Sequence, residues 1–321
     1  MDEVEPNILR PRALDNFLGN DSIKCDLALS IQAAKKRQEP LEHVLFYGGP
    51  GLGKSTLGDI IANEMQTRMI KATGPSIDSI QKLVALVSSI HYGEVFFIDE
   101  IHRLPKAVEE VLYSVLEDSA IFAVMGRTVV NRSLPKFTVV GATTKFALIA
   151  APLRDRFTSC YRLDFYSVEV LQKIVMAASK ALGSPIEASA AQLIAERARG
   201  TPRVANKLLK RCRDYAQVLG NGDITAKSAG EQLTFMGIDE LGLGPVEYQY
   251  LNVLVNQLEG GPAGLEVIAA RISEDESTVA DTVEPYLMRV GMLDRTSKGR
   301  CATPAAFEWL FKHKMYLERA A

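Results

Sequence analysis

The sequence predicts an α/β domain with a parallel sheet, followed by a small helical unit and a C-terminal winged helix, and four observations carry that expectation. An apolar run at Val44–Tyr47 leads through a glycine-rich loop into a segment with Leu57, Ile60, Ile61 and Met65 at helical spacing. Four apolar residues, Val95–Ile98, end abruptly in Asp99 and Glu100, the pattern of a strand buried on both faces. From Val168 to about Met236 helical periodicity replaces strand patterning. Beyond Gly237 three helical segments precede two short strand-like ones.

The first strand and its loop carry the chemistry. Residues 48 to 55, GGPGLGKS, fit the spacing G-x-x-x-x-G-K-[ST]. Main-chain N–H groups at Gly48, Gly49, Gly51 and Gly53, unobstructed by side chains, can wrap a polyphosphate whose charge is also favoured at the following helix N-terminus. Lys54 would reach the β- and γ-phosphates, and the Ser55 hydroxyl would ligate Mg2+. ATP and Mg2+ are therefore the expected ligands.

Length and composition bound the rest. At 321 residues the chain is long enough for two or three domains. Hydrophobic residues make up 47% and charged residues 24%, the balance of a folded soluble protein. A net charge of −2 restricts any nucleic-acid contact to a local patch. Cys25, Cys160, Cys212 and Cys301 are scattered with no CxxC pair, which argues against a metal site or a disulfide framework. No stretch is apolar enough to span a membrane and the N-terminus does not read as a signal sequence, so a cytoplasmic protein with reduced thiols is expected.

In chain order, the segment from Leu9 to Gly19 precedes the first strand, and its apolar residues could close over a nucleotide base. Residues 21–38 read as a helix with Lys35, Lys36 and Arg37 near its end, more often a solvated terminus than a binding patch. A short strand is expected at Thr67–Lys71 and a helix at Ile77–Ser89. The carboxylates ending the next strand suit an active site on its C-terminal edge. Asp99 would hold Mg2+ through water, and Glu100 would polarise the water attacking the γ-phosphate. A helix at Lys106–Glu117, a hairpin within 120–132 and a strand at Phe137–Gly141 follow. At the end of that strand Thr143 or Thr144 could orient the lytic water. Arg156, after Pro152, is a candidate for the guanidinium that stabilises the transition state, with a surface ion pair as the bland alternative. Helices at Val168–Leu182, Ala188–Ala198 and Arg203–Leu219 form the helical unit, and Arg203 could couple its angle to the γ-phosphate.

Helices at Tyr248–Leu258, Leu265–Arg271 and Glu276–Val290, then strands at Met292–Arg295 and Arg300–Thr303, make the winged helix. Residues 239–321 hold 8 Lys and Arg against 13 Asp and Glu, yet Arg289, Arg295, Lys298 and Arg300 cluster around the wing. Patterning alone leaves a solvated hairpin tip and a contact to DNA backbone both open.

The ordered motifs GGPGLGKST, FIDEIHR, GATTKFALIAAPLRDRF, RGTPRVANKLLKR and EPYLMRVGMLDRTSKGRCATP resemble those of the RuvB family, bacterial Holliday-junction branch-migration ATPases of the AAA+ class. The resemblance runs from Leu9 to about Phe311. It implies an α/β AAA+ P-loop NTPase domain with a parallel sheet over 1–167, a small helical lid domain over 168–238 and a winged-helix DNA-binding domain over 239–321. Position by position it implies that Thr144 is sensor 1, Arg203 sensor 2, and Arg156 an arginine finger reaching a neighbouring subunit. Phe17, Leu18, Tyr166 and Pro202 would surround the adenine, with Leu9 and Arg10 beside them, while Leu52 and Thr56 complete the loop's contacts to nucleotide. It also implies a homo-hexameric ring on duplex DNA, a RuvA-like junction-binding partner and a RuvC-like resolvase.

Three features depart from the family pattern, one of them a short N-terminus. Gly49 stands where the family usually has Pro. The segment between Asp118 and Phe137, by which the family grips its RuvA-like partner, is a few residues short and puts that partner in doubt. A clamp-loader-like AAA+ ATPase and a nucleotide-switched DNA-binding protein are the alternatives; the winged helix argues against the first, and intact Lys54, Asp99, Glu100 and Arg156 against the second.

Overall fold

The computed structural model describes residues 8–125 and 128–313. The extreme ends of the first and last expected domains, and the hairpin tip at 126–127, lie outside the described residues. The chain forms two compact units, Met1–Val170 and Leu171–Ala321.

The first unit is built on a five-stranded parallel sheet of order β2-β3-β6-β1-β7. The strands are β1 (Val44–Tyr47), β2 (Met69–Thr73), β3 (Val95–Asp99), β6 (Thr138–Thr143) and β7 (Ser159–Arg162). Helix α1 (Asp21–Arg37) precedes β1; α2 (Lys54–Glu64) and α3 (Ile80–Ser88) flank β2; α4 (Lys106–Asp118) follows β3. Strands β4 (Ala120–Met125) and β5 (Thr128–Ser133) pair antiparallel as a hairpin outside the sheet. A short helix α5 (Ala151–Arg154) leads to β7.

Burial explains why these segments take these forms. In β3 the residues Val95 to Ile98 are buried without alternation, and all six residues of β6 are buried, as central parallel strands covered on both faces require. Leu83, Val87, Phe96, Ile98, Val108, Leu112, Val115 and Val139 belong to one core beneath one face of the sheet. Strand β7 was not expected from the sequence. It is an edge strand whose residues alternate between half-buried and exposed, so SCYR shows no apolar run. Because β6 sits between β1 and β3, the chain ends of these three strands converge on one edge. That edge carries the site.

The second unit contains α6 (Val168–Ala181, which begins in the first), α7 (Ala188–Glu196), α8 (Pro202–Leu219) and α9 (Ala226–Phe235). Its second half contains α10 (Pro245–Asn252), continued by a π-helical turn at Val253–Gln257, and α11 (Leu265–Ile272). A helix then runs from α12 (Glu276–Thr278) through a π-turn to α13 (Glu284–Arg289). The wing is β8 (Leu293–Thr296) against β9 (Gly299–Ala302), and α14 (Pro304–Lys312) closes the unit. Helix α14 lies beyond the expected elements, although Thr303 caps it by accepting from the Ala306 N–H and Pro304 stands at its first turn, both legible signals. Its Trp309 is buried against Tyr248, ring centroids 4.5 Å apart.

The helical and winged-helix halves are joined by a polar seam. Trp309 donates its indole N–H to Asp239 (2.9 Å), and Asp239 also accepts from the Leu243 N–H (2.7 Å). Arg199 forks onto both oxygens of Glu247 at 2.6 and 2.9 Å and donates to the Gly242 carbonyl at 2.6 Å. Its guanidinium lies 5.3 Å from the Tyr286 ring centre. A paired guanidinium of this kind, bonded through all three of its nitrogens, fixes geometry more than it adds net stability.

Candidate active site

The glycine-rich loop leaves β1 and wraps the start of α2. Gly48 has φ +140°, and a Cβ there would lie 2.3 Å from the Leu163 carbonyl oxygen. Gly53 has φ +105°, with Phe17 ring atoms 3.1 Å from where its Cβ would be. Both positions demand glycine. Gly49 does not: its φ is ordinary and its Cβ would make only ordinary contact with Leu52 at 3.5 Å, so the departure from proline removes nothing the loop needs.

Lys54 is 7% exposed, and its ammonium donates to the Gly48 and Gly49 carbonyls at 2.8 Å each. The charge is thus stored beneath the loop that is shaped to wrap phosphate. The Ser55 hydroxyl donates to Asp99 Oδ2 across 3.2 Å, bringing α2 to the end of β3. Asp99 Oδ1 accepts from the Glu100 N–H at 3.0 Å. A hydroxyl beside a carboxylate is an oxygen-only donor set of the kind Mg2+ takes, with phosphate oxygens and water completing its shell. No cluster of three or more His, Cys, Asp or Glu with metal-ligand geometry occurs among the described residues.

Glu100 adopts a left-handed backbone, φ 49° and ψ 45°, immediately after the strand. For a non-glycine residue this is a sparsely populated conformation, costing on the order of 1 kcal/mol or more. A neighbouring main chain runs against it: a Cβ on Gly74, just past β2, would come within 2.3 Å of the Glu100 carbonyl oxygen, so position 74 requires glycine. Thr144, just past β6, donates to Glu100 Oε2 at 3.0 Å. His102, which sequence reasoning passed over within its DEIHR segment, has Nδ1 3.2 Å from the same oxygen and 2.9 Å from Thr143 Oγ1.

The aromatic wall forms on the other side of the loop. Phe17 is buried, and Tyr166 is buried and donates its hydroxyl to the Leu52 carbonyl at 2.9 Å. Burial pushes the Tyr166 phenol up to about 12, so it remains a donor at neutral pH. Leu18 and Leu9 are half-buried, and Thr56 lies in the first turn of α2. Arg10 faces Asp59 at 3.5 Å.

Lys54, Ser55, Asp99, Glu100 and Thr144 therefore meet at one sheet edge, with Phe17 and Tyr166 beside Gly53. Arg156 packs elsewhere. Its guanidinium donates to the Pro152 carbonyl (2.7 Å), pairs with Glu117 (2.5 Å) and lies 4.9 Å from the Tyr113 ring centre. Pro202 and Arg203 open α8 in the second unit, Arg203 exposed.

At the wing Arg300 is tied to an internal acid. It is not a free basic contact: its Nε and Nη2 donate to Glu284 Oε1 and Oε2 at 2.9 and 3.3 Å, and Glu284 is fully buried. Arg295 pairs with the same carboxylate at 2.8 Å, and Tyr250 donates to it at 3.1 Å. The sequence showed a basic tip; the fold spends much of that charge on an internal acid. Arg289 donates to the Arg199 carbonyl at 3.2 Å, while Lys298 stands exposed at the turn.

A phosphate loop, a paired Asp–Glu at the neighbouring strand end, a following threonine, a helical unit and a winged helix together define an AAA+ P-loop ATPase that binds nucleotide. Profiles of three domains match consecutive stretches of the chain: the Holliday junction DNA helicase RuvB P-loop domain over residues 9–163, the RuvB AAA lid domain over 166–239, and the RuvB C-terminal winged helix domain over 240–311. The Holliday junction branch migration complex subunit RuvB of Dehalococcoides mccartyi is 48% identical over 306 residues, covering 94% of this chain and 88% of the relative. The solved structure named Thermotoga maritima RuvB Holliday junction branch migration motor superposes with a TM-score of 0.87 at 41% identity, covering 95% of this chain and 99% of that one. A mutant of the same Thermotoga protein superposes at 0.88 with the same identity and coverage. The chain belongs to the RuvB family.

Proposed function

We propose that this protein is an ATP-driven motor that moves the branch point of Holliday junctions along duplex DNA, working as a homo-hexameric ring. The observation that carries the reading is a hydrolytic set, Lys54, Ser55, Asp99, Glu100 and Thr144, in a chain whose relatives are named a branch migration complex subunit and a branch migration motor.

In this reading the loop amides and Lys54 bind the polyphosphate, Lys54 exchanging its carbonyl partners for phosphate oxygens. Ser55 and Asp99 would hold Mg2+, which when bound offsets charge on the β- and γ-phosphate oxygens. Phe17 and Tyr166 exclude water from the base, with Leu9, Arg10, Leu18 and Pro202 around it. Glu100 orients and polarises the attacking water, and Thr144 turns toward the γ-phosphate. Arg156 leaves Glu117 to stabilise the transition state in a neighbouring subunit, and Arg203 reports the γ-phosphate to the lid. The three-part division at 167/168 and 238/239 is the functional division in this reading, with the Arg199–Glu247 fork tying lid to winged helix. Lys298, with Arg289, Arg295 and Arg300, offers charge to the DNA backbone without reading bases. The hairpin β4–β5, where Phe122 is half exposed, offers a surface for a RuvA-like partner, and a RuvC-like resolvase would act on the same junction. No helix among the described residues is long and apolar enough to cross a membrane, and a cytoplasmic location suits a DNA motor.

The test compares two variants on a mobile synthetic four-way junction. Lys54→Ala should lose nucleotide binding, whereas Glu100→Gln should bind ATP yet neither hydrolyse it nor move the junction. Wild-type turnover or junction migration by Glu100→Gln would refute the assignment.

A further inference from the structure

We infer that His102 is a positioning residue for ATP hydrolysis, holding the Glu100 carboxylate once Thr144 has turned to the γ-phosphate. The inference rests on the reading of Glu100 as the group that polarises water, and follows from counting protons. Thr144 Oγ1 has one hydrogen and gives it to Glu100 Oε2. It cannot give that hydrogen to a phosphate oxygen at the same time. If Thr144 serves as the sensor of the γ-phosphate, Glu100 loses a donor in the very state that hydrolyses.

His102 supplies the replacement. Its Nδ1 lies 3.2 Å from Glu100 Oε2, and its side chain is 6% exposed, held at the end of β3 by the short turn Ile101–Arg103. A carboxylate oxygen accepts only, so Nδ1 must carry hydrogen; a bare nitrogen would set two lone pairs against each other. Thr143 Oγ1, 2.9 Å from the same Nδ1, is a second acceptor that shares this hydrogen, and it accepts as well from the Lys145 N–H at 3.0 Å, which fixes it by main chain just beyond β6. The ring is thereby aimed by Thr143 and aims Glu100. Both contacts fall on Oε2, which leaves Oε1 as the oxygen to take the proton of the attacking water. Glu100 has several rotatable bonds and a strained main chain, so its carboxylate needs an anchor that does not depend on nucleotide state. Misplacing a catalytic group by about 1 Å costs up to roughly a hundredfold in rate.

The experiment measures steady-state ATPase, nucleotide affinity by a fluorescent ATP analogue, and melting temperature for full-length variants. His102→Ala should lower kcat roughly ten- to hundredfold while leaving nucleotide Kd and KM within about twofold. His102→Asn, whose amide nitrogen falls near the Nδ1 position, should recover most of that loss. Adding His102→Ala to Glu100→Gln should lower turnover no further, because the anchored group is already gone. If His102→Ala does not fold, the near-isosteric Thr143→Val takes its place and should lower kcat with Kd unchanged, while Thr143→Ser preserves it. A kcat for His102→Ala within twofold of wild type, or equal losses in the Ala and Asn variants, overturns the inference. Full turnover by Glu100→Gln would instead remove the base, a failure distinguishable from loss of His102's role alone.

Discussion

Replacing Arg300 by alanine should destabilise the winged helix rather than merely weaken DNA binding. Glu284 is fully buried and is met by Arg300 at 2.9 and 3.3 Å, by Arg295 at 2.8 Å and by the Tyr250 hydroxyl at 3.1 Å. Removing one partner from a buried ion pair typically costs about 3–5 kcal/mol, because the remaining charge is left uncompensated. Here Arg295 and Tyr250 remain to offset the charge, so the cost falls at or below the bottom of that range, about 2–3 kcal/mol. In a unit of this size that corresponds to a fall of roughly 4–12 °C in Tm. The protein has a single tryptophan, Trp309, buried in this core, so urea unfolding followed by its fluorescence reports on the winged helix itself. A loss below about 0.5 kcal/mol, no more than an ordinary surface substitution, would refute the idea that Glu284 organises the wing.

Lys298→Ala should do the converse, leaving the Trp309 transition in place while reducing the log–log salt slope of duplex binding by about one unit. An unchanged slope would take Lys298 off the DNA. A third expectation concerns pH. His43 accepts the Val139 N–H on Nδ1 (3.0 Å) and donates from Nε2 to the Leu116 carbonyl (3.1 Å), and burial lowers its pKa below the ordinary 6.5. Below that value the unfolded chain takes a proton the folded one refuses, so stability is full above pH 6.5 and falls as pH drops toward the lowered folded value. Urea unfolding of the first unit by circular dichroism should show that loss in wild type and a shallower one in His43→Gln; equal slopes would exclude His43.

Much of this architecture is legible in the sequence because it rests on local patterns. The strand–loop–helix motif around Lys54, the unbroken apolar run before Asp99 and the helical periodicity after Val168 each signal their element without reference to distant residues. Strand β7 escapes because an edge strand needs no apolar run. The fate of Arg300 escapes for another reason: its partner lies on α13, and periodicity marks Glu284 as one more acidic residue rather than as a fully buried one. His102 and Thr143 lie 41 residues apart in sequence and meet only because β3 and β6 are neighbours in the sheet. Contacts made across the sheet leave no trace in spacing.

The central claim, a motor whose site is completed by a neighbouring subunit, turns most directly on Arg156. In the single chain Arg156 is held by Glu117 and Pro152, on α4 and α5, and not by the phosphate loop. Arg156→Ala should therefore bind ATP but fail to hydrolyse it, since the missing guanidinium acts on the transition state. Mixing it with Lys54→Ala, which keeps its finger but lacks a working site, should restore ATPase activity that neither variant shows alone. Wild-type turnover by Arg156→Ala on its own, or a wild-type rate per subunit that does not change on dilution through ring dissociation, would contradict the account.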